Sequence, residues 1–383
     1  MGKIIEEKNP YTRDFGTIPS TYIERTVQQD DITRSFISEV TDDKVYFIIG
    51  QRGFGKSSLL RATKEQIARD SRWIVIELRS NNDNLIHELA ASLYSIPVLK
   101  AKFSELELDF SLIGVGVSIG VRSKKTIEIS SEEVAIKKML EVVAMLNKKV
   151  LVAIDEISNT PAIRDFCGLF NVCKGSNLPM YLLMDGLYKN TTALENVSDL
   201  TFLKRVEKLE VNSLDNTEMF NSYKHYLHLE DADNPKYALK LVEKSKGYPY
   251  AFQLIGFYSW LWLKEDENII KDFDAFEEKL NAELDRNLSS YVYSTLWTEI
   301  SPVEQDILSI MACFNLSKVG DIREKYEEIF PERAAMTSAN FSKYRDKLIK
   351  MKFLKSTANT MLEFNLPRFD VFAIMNRNLA IEL

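Results

Sequence analysis

Short apolar runs alternate with longer stretches of helical spacing in the first half of the chain. Apolar residues recur every three or four positions in segments such as Ser57–Asp70 and Ser131–Asn147. The apolar runs between such segments are Val45–Ile49, Trp73–Leu78, Val150–Ile154 and Met180–Met184. Strands that are apolar on both faces and alternate with helices are typical of a parallel sheet that helices cover on both sides. The pattern therefore predicts an α/β fold.

One segment within this region follows a period of two. Every second residue from Leu106 to Leu112 is apolar, and the alternation repeats from Val115 to Val121. Ile113-Gly114 supplies a turn between the two halves, so the pattern predicts a β-hairpin inserted at about residues 105–122. Two roles stay open for this hairpin: it packs on the edge of the sheet, or it binds a partner by strand addition.

The second half of the chain is mainly helical. Helical spacing continues from Val211 to Leu288, and three further helical segments follow Ser301. Ser301, Pro302 and Glu304 suit the N-cap, first and third positions of a helix. Two short extended runs, Phe353–Ser356 and Met361–Asn365, come after the third segment. Three helices and a β-wing describe a winged helix-turn-helix, and the predicted domains are residues 1–210, 211–290 and 291–383.

Composition excludes several classes of protein. The chain has 383 residues, 45% of them hydrophobic, and a formal charge of −7. Such values suit a globular protein and argue against one that coats nucleic acid by bulk charge. Three cysteines are too few and too scattered for a disulfide framework. Met1–Lys8 is polar, and no apolar stretch reaches the ~18 residues of a membrane span. We therefore expect a cytoplasmic protein with no membrane partner.

The strongest chemical signal follows the first apolar run. Residues 50–57 read Gly-Gln-Arg-Gly-Phe-Gly-Lys-Ser and fit the phosphate-loop pattern G-x-x-x-x-G-K-[ST] at every fixed position. Glycines let successive backbone N–H groups turn towards phosphate oxygens, and the helix that follows adds its positive dipole end. The predicted nucleotide contacts are Gly50, Gln51, Arg52, Gly53, Phe54, Gly55, Lys56, Ser57 and Ser58.

A second signal ends the apolar run Val150–Ile154, where Asp155 and Glu156 follow directly. Such a carboxylate pair suits a Walker B element. Asp155, together with Ser57, is predicted to hold Mg²⁺, and Glu156 is predicted to activate the attacking water as general base. The adjacent glutamate favours a hydrolase over a kinase, because a kinase instead needs an acceptor site.

At these motifs the chain resembles the AAA+ ATPases, and more narrowly their origin-recognition-like and STAND-like branch of archaeal and bacterial ATPases. The N-terminal segment with Phe15, Gly16 and Tyr22 resembles the lining of the adenine pocket in that branch. Gly247-Tyr248-Pro249 resembles the Gly-x-Pro motif of its lid, which implies an adenine-binding role for Pro249. The alternative is a proline that only ends one helix and begins the next. The resemblance implies an α/β P-loop NTPase with a parallel sheet of AAA+ type, a helical lid and a C-terminal winged helix.

The resemblance also suggests functions for two further residues. Arg205 lies in a basic element that resembles the one after the sensor strand. There it is either a catalytic arginine that stabilises charge on the γ-phosphate or a surface arginine beside Lys204. The sensor position at the end of Met180–Met184 usually carries a hydrogen-bond donor, whereas this chain has Asp185. An ionised aspartate cannot donate, which leaves the hydrolysis rate open.

The third helical segment of the predicted C-terminal module, residues 291–383, is basic. Six lysine and arginine residues stand against one aspartate between Lys343 and Lys355, a local charge of +5. A basic third helix suits phosphate contacts and entry into the major groove. The predicted DNA-binding residues are Ser342, Lys343, Arg345, Lys347 and Lys350. The alternative is a solvated helix in a winged helix that contacts protein.

Three functions stay open after the sequence alone. The first is an ATP- and Mg²⁺-dependent ATPase that couples nucleotide state to double-stranded DNA. The second is a STAND-like signalling or defence switch whose winged helix contacts protein and whose ATP binding drives oligomerisation. The third is a nucleotide-binding protein with negligible turnover. No guanine-specific Asn-Lys-x-Asp stretch is present, and the resemblance favours adenine.

Overall fold

The computed structural model describes residues 8–14, 18–37, 43–115, 127–230, 234–333, 336–358, 360–378 and 380–381. The chain forms two compact units. The α/β unit comprises Arg25–Gly50 and Lys56–Val211. The helical unit comprises the described residues of Met1–Glu24, Gln51–Gly55 and Asn212–Leu383. The division into domains at residues 210 and 290 stays a prediction.

The α/β unit alternates strands and helices as the apolar runs predict. Its elements are α1 (Thr26–Ile37), β1 (Val45–Ile49), α2 (Lys56–Ala68), β2 (Trp73–Arg79), α3 (Leu85–Ser95), α4 (Pro97–Glu105), β3 (Leu108–Asp109), β4 (Ile127–Glu128), α5 (Glu132–Met145), β5 (Lys149–Asp155), α6 (Pro161–Gly175), β6 (Met180–Gly186), α7 (Tyr188–Glu195) and β7 (Glu207–Glu210). Five strands form one sheet in the order β2-β5-β6-β1-β7, and all neighbours are parallel.

The central strands of this sheet are buried on both faces. Val150–Ile154 of β5 is fully buried, as are Phe47 and Ile48 of β1 and Leu182–Met184 of β6. Helices supply the cover because their apolar faces, such as Ile136, Met139 and Leu140 of α5, join the same core. Burying a large apolar side chain stabilises the fold by roughly 1.5–3 kcal/mol. The predicted parallel α/β sheet is confirmed.

The predicted hairpin at residues 105–122 is wrong in its first half. Leu106 closes helix α4, the strand that follows spans only Leu108–Asp109, and residues 111–113 turn into a 3₁₀-helix. Phe110 explains the difference, because it packs fully buried against the rings of Tyr94 and Phe103. Strand β3 pairs in parallel with β4. Residues 116–122 of the predicted second strand lie outside the described residues.

The helical unit follows the predicted order of elements. It contains α8 (Asn216–Tyr226), α9 (Pro235–Ser245), α10 (Pro249–Glu265), α11 (Phe273–Leu288), α12 (Ser294–Thr298), α13 (Pro302–Cys313), α14 (Val319–Ile329), α15 (Ser338–Lys350), β8 (Leu354–Ala358), β9 (Met361–Phe364) and α16 (Phe369–Met375). Strands β8 and β9 form an antiparallel pair. The predicted start of α13 is confirmed, since the Glu304 carboxylate accepts hydrogen bonds from the Ser301 N–H (2.7 Å) and Oγ (2.8 Å).

The N-terminal segment packs on helix α10. The Asn9 side chain donates to the Phe257 carbonyl at 3.0 Å. Gln253 Oε1 accepts from the Thr12 N–H at 3.1 Å and from Thr21 Oγ1 at 3.2 Å. These long-range hydrogen bonds hold residues 8–14 and 18–21, which are described as turns and coil, against the helix. Within the described residues, no helix is long and apolar enough to cross a bilayer.

Candidate functional site

The phosphate-loop sequence joins strand β1 to helix α2. Gly53 (φ 79°) and Gly55 (φ 84°) both adopt the left-handed region, which side chains disfavour. Helix α2 begins at Lys56, directly after the second of these glycines. Two left-handed glycines suit a loop whose backbone N–H groups turn towards an anion.

Ser57 and Asp155 meet at the carboxyl edge of the sheet. Ser57 Oγ donates to Asp155 Oδ1 at 2.8 Å. Asp155 is the last residue of β5, and Ser57 lies in the first turn of α2. A hydroxyl and a carboxylate oxygen at this separation suit Mg²⁺, which prefers oxygen ligands. The donor set therefore fits the ion that the sequence motif implies.

Glu156 follows Asp155 in a backbone conformation that is uncommon for glutamate. Its φ is 55°, in the left-handed region, and its side chain is exposed. Its N–H donates to Asp185 Oδ1 at 2.9 Å, and the N–H of Ile157 donates to the Asp185 carbonyl at 2.9 Å. The end of β6 therefore shapes the turn that carries the predicted general base.

Asp185 lies between β5 and β1 at the same edge. It pairs with Ile48 of β1 and is fully buried. Burial, and after it repulsion from the Asp155 carboxylate, raises the pKa of Asp185 well above its ordinary value, while the charge of Lys56 opposes that rise. This environment favours the neutral carboxyl, whereas the sequence alone suggests an ionised aspartate.

On the helical unit, Tyr248 packs against the phosphate loop. Its hydroxyl donates to the Arg52 carbonyl at 2.9 Å, and its ring lies 5.2 Å from the Phe54 ring. A Cβ atom on Gly53 would stand 2.0 Å from the Tyr248 hydroxyl oxygen. Full burial raises the pKa of Tyr248, so the phenol stays protonated as a donor. The sequence indicates Pro249 in this motif but not the tyrosine before it.

A second contact joins the phosphate loop to the C-terminal module. Gln51, which is only 3% exposed, donates through Nε2 to the Met351 carbonyl at 2.9 Å. Met351 is the C-cap of α15, so the bond satisfies a carbonyl that the end of a helix leaves without a partner. Sequence reasoning missed this role of Gln51, because 300 residues separate the two and no local pattern marks the pair.

The remaining predicted nucleotide residues stay predictions. Pro249 occupies the first position of α10, directly after Tyr248. Tyr22 lies half-buried before α1, where its N–H donates to the Pro19 carbonyl at 3.0 Å. Arg205 ends the 3₁₀ segment Ser198–Arg205 with an exposed side chain. Phe15 and Gly16 lie outside the described residues.

Helix α15 presents part of its predicted DNA-binding set to solvent. Lys343, Lys347 and Lys350 are exposed. Lys347 Nζ nevertheless pairs with the buried carboxylate of Glu304 at 2.8 Å, and Arg345 pairs with Asp346 at 2.7 Å. Ser342 Oγ donates to the Ser338 carbonyl of its own helix at 2.9 Å. These interactions engage Ser342, Arg345 and Lys347 within the unit, and the DNA-binding roles stay predictions.

The order of the five parallel strands and the helices that cover them define a fold, the α/β fold of the AAA+ type. The chain matches the ADPNP–ADP complex of the Aeropyrum pernix ORC2 protein with a TM-score of 0.59 at 15% identity, covering 95% of both chains. At this identity the match establishes the fold, and it confirms the origin-recognition-like AAA+ architecture.

Two further matches have lower scores. The ADP form of the same ORC2 protein gives a TM-score of 0.46 at 13% identity, covering 94% of this chain and 95% of that one. The Aeropyrum pernix ORC1 protein in complex with DNA gives 0.44 at 13%, covering 93% of each. Scores of this size support no further conclusion. The sequence matches no protein-family model and no curated protein.

Proposed function

We propose that the protein is an ATP-binding and ATP-hydrolysing molecular switch that couples its nucleotide state to duplex DNA. The observation that carries the proposal is the meeting of Ser57 with Asp155 at 2.8 Å, beside Glu156, at the carboxyl edge of a parallel sheet. Ligands of open α/β sheets bind at this edge. The Aeropyrum pernix ORC2 structure that shares the fold is an ADPNP–ADP complex, which supports an adenine nucleotide as ligand.

Each residue of the site has a defined task in this proposal. Backbone N–H groups of residues 50–57 bind the phosphates, and Lys56 neutralises charge on the β- and γ-phosphates. Ser57 and Asp155 would hold Mg²⁺, which supplies further neutralisation of phosphate charge when bound. Glu156 accepts a proton from the attacking water. Arg205 stabilises the charge that develops on the transferred phosphoryl group.

The adenine pocket belongs to the helical unit in this proposal. Phe15, Gly16, Tyr22 and Pro249 line it. The packing of the N-terminal segment on α10 supports the assignment, because Gln253 joins both Thr12 and Thr21 to the helix that begins at Pro249. Tyr248 adds a link from the start of that helix to the phosphate loop.

The direct test of the proposal is phosphate release from Mg·ATP by the full chain, with and without duplex DNA. We expect turnover without DNA and a severalfold increase with it. Chelation of Mg²⁺ by EDTA should abolish the release, since Ser57 and Asp155 would then act without their ion. Turnover that ignores DNA would support ATP hydrolysis and contradict the coupling to DNA. A complete lack of turnover, with or without DNA, would contradict the hydrolytic function.

The DNA part of the proposal rests on α13–α15 and the β8–β9 pair, whose order is that of a winged helix. We expect Lys343→Glu combined with Lys350→Glu to weaken duplex binding about tenfold or more and to reduce its salt dependence. Lys347 is unsuitable for this test, because its replacement would leave the Glu304 carboxylate buried without its cation.

A matched control comes from another helix of the same unit. Lys236 and Lys240 are exposed on α9, and replacing both with glutamate changes the net charge by the same amount. Fluorescence anisotropy of a labelled duplex at several salt concentrations measures both variants. Equal weakening by the two pairs would indicate bulk charge rather than the α15 surface, and unchanged binding by the α15 pair would contradict the proposed DNA contact.

The ion pairs of Lys347 and Arg345 favour one alternative function. They reduce the free positive charge on α15, which suits a C-terminal module that contacts protein in a STAND-like signalling or defence switch. ATP-dependent oligomers on a sizing column in the absence of DNA would support this alternative. A species that shifts only with DNA would support the first function.

A further inference from the structure

The turn that carries Glu156 is held from the end of β6. Asp185 Oδ1 accepts the Glu156 N–H, and the Asp185 carbonyl accepts the Ile157 N–H, both at 2.9 Å. Asn190 Nδ2 donates to the Ile157 carbonyl at 3.1 Å from the other side. Strand β6 and the helix that follows it thus bind three backbone groups of a two-residue turn.

Close packing adds to these hydrogen bonds. A Cβ atom on Gly186 would stand 2.9 Å from Ile157 Cγ1, so the turn lies against the backbone of β6. Glu156 itself has φ 55°, a conformation that residues with a side chain seldom adopt. Such a conformation persists only where the surroundings impose it. The only side-chain atom among the described contacts that holds the Glu156 N–H is Asp185 Oδ1.

We propose that Asp185 is a positioning residue for ATP hydrolysis, because its Oδ1 atom fixes the backbone of Glu156 and thereby directs the Glu156 carboxylate towards the attacking water. This inference rests on the proposed ATPase function. It gives Asp185, the acidic residue at the sensor position, a task that requires no direct contact with the γ-phosphate. Catalysis depends on such placement because a displacement of about 1 Å can lower a rate about 100-fold.

The chain allows variants that separate this task from a phosphate contact. Asp185→Asn keeps an oxygen at the position of Oδ1, so it still accepts from Glu156. Asp185→Leu has a similar shape but no acceptor. Asn190→Ala loosens the same turn from its other end. Met184→Ala is the matched control, because it removes a buried side chain of the same strand that makes none of these hydrogen bonds.

The experiment combines two measurements on the full chain. Amide hydrogen exchange of a peptide spanning residues 153–160 reports the turn in protein without nucleotide. Steady-state release of phosphate gives kcat and KM for Mg·ATP. Melting curves identify any variant that does not fold, and the partly exposed Asn190 provides a variant that disturbs the core least.

We expect Asp185→Leu to accelerate exchange in the turn and to lower kcat about 10- to 100-fold with KM nearly unchanged. Asn190→Ala should change both quantities in the same direction but by less. Asp185→Asn and Met184→Ala should keep exchange in the turn and kcat close to the wild-type values. A positioning role is indicated if Asp185→Leu lowers kcat without changing KM and Asp185→Asn retains the wild-type kcat.

Three results would overturn the inference. Unchanged exchange in Asp185→Leu would mean that Asp185 does not hold the turn. An equal loss of kcat in Asp185→Asn and Asp185→Leu would mean that hydrolysis requires the carboxyl group of Asp185 and not only its acceptor oxygen. A loss of kcat in Met184→Ala as large as that in Asp185→Leu would indicate general damage to the strand. If the wild type itself releases no phosphate, the ATPase proposal fails, while the exchange data still decide whether Asp185 holds the turn.

Discussion

Replacing Glu156 with glutamine is expected to lower kcat for ATP hydrolysis by about 10²- to 10⁴-fold, the range for loss of a general base. Glutamine has nearly the same size as glutamate, but its amide cannot take a proton from water. Glu156 is exposed at the end of β5, so the substitution should leave the fold intact. Steady-state release of phosphate from Mg·ATP gives kcat, and single-turnover release gives the rate constant of the hydrolysis step.

The affinity for ATP separates this result from a loss of binding. Glu156→Gln should bind a fluorescent ATP analogue as tightly as the wild type, because the proposed phosphate contacts belong to residues 50–57. Asp155→Asn provides the contrast, since it alters the oxygen that accepts from Ser57 and should weaken Mg²⁺-dependent binding. Turnover that survives Glu156→Gln would assign the proton transfer to another group.

Replacing Gly53 with alanine is expected to damage the phosphate loop more than any other conservative change in it. The new Cβ atom would stand 2.0 Å from the Tyr248 hydroxyl oxygen and 2.6 Å from its ring carbon Cζ. The left-handed φ of 79° adds strain of its own. Overpacking and backbone strain together should destabilise the protein by about 2–4 kcal/mol and weaken ATP binding at least tenfold.

Gly55 is the matched control within the same loop. Its φ of 84° is equally left-handed, but a Cβ atom there would meet no other atom within 4 Å. Gly55→Ala should therefore show backbone strain alone, about 1–2 kcal/mol. Urea denaturation and ATP titration compare the two variants. Equal losses would show that Tyr248 does not pack against Gly53 as described, and recovery of Gly53→Ala by Tyr248→Ala would support the contact.

The sequence predicts those parts of the fold that depend on local pattern. Four strands of the sheet coincide with runs rich in apolar residues, and β1, β5 and β6 do so because most of their residues are buried on both faces. The apolar pattern does not reveal the edge strand β7, Glu207–Glu210, because three of its four residues are charged and none is fully buried. The hairpin prediction fails because Phe110 joins an aromatic cluster, a tertiary contact that outweighs an alternating pattern.

The candidate site likewise contains residues that local pattern predicts and residues that only tertiary contacts bring to it. Spacing predicts Lys56, Ser57, Asp155 and Glu156, since the chemistry proposed for them requires fixed positions after two strands. The Tyr248 hydroxyl donates to Arg52 of the loop across 196 residues, and Gln51 of the loop donates to Met351 across 300 residues. No local rule predicts such contacts. Asp185 is visible in the sequence, but its burial and its bond to Glu156 depend on the pairing of β6 with its neighbours.

The strand order also determines when the sheet can be completed during synthesis. Strand β1 is made well before its two neighbours in the sheet, which are β6 and β7. It therefore has no partner strand until residues 180–186 and 207–210 have been made. Pairings between such distant segments form slowly, because long loops must close first. A nascent chain of intermediate length thus exposes the apolar segment Val45–Ile49, which can associate with other chains.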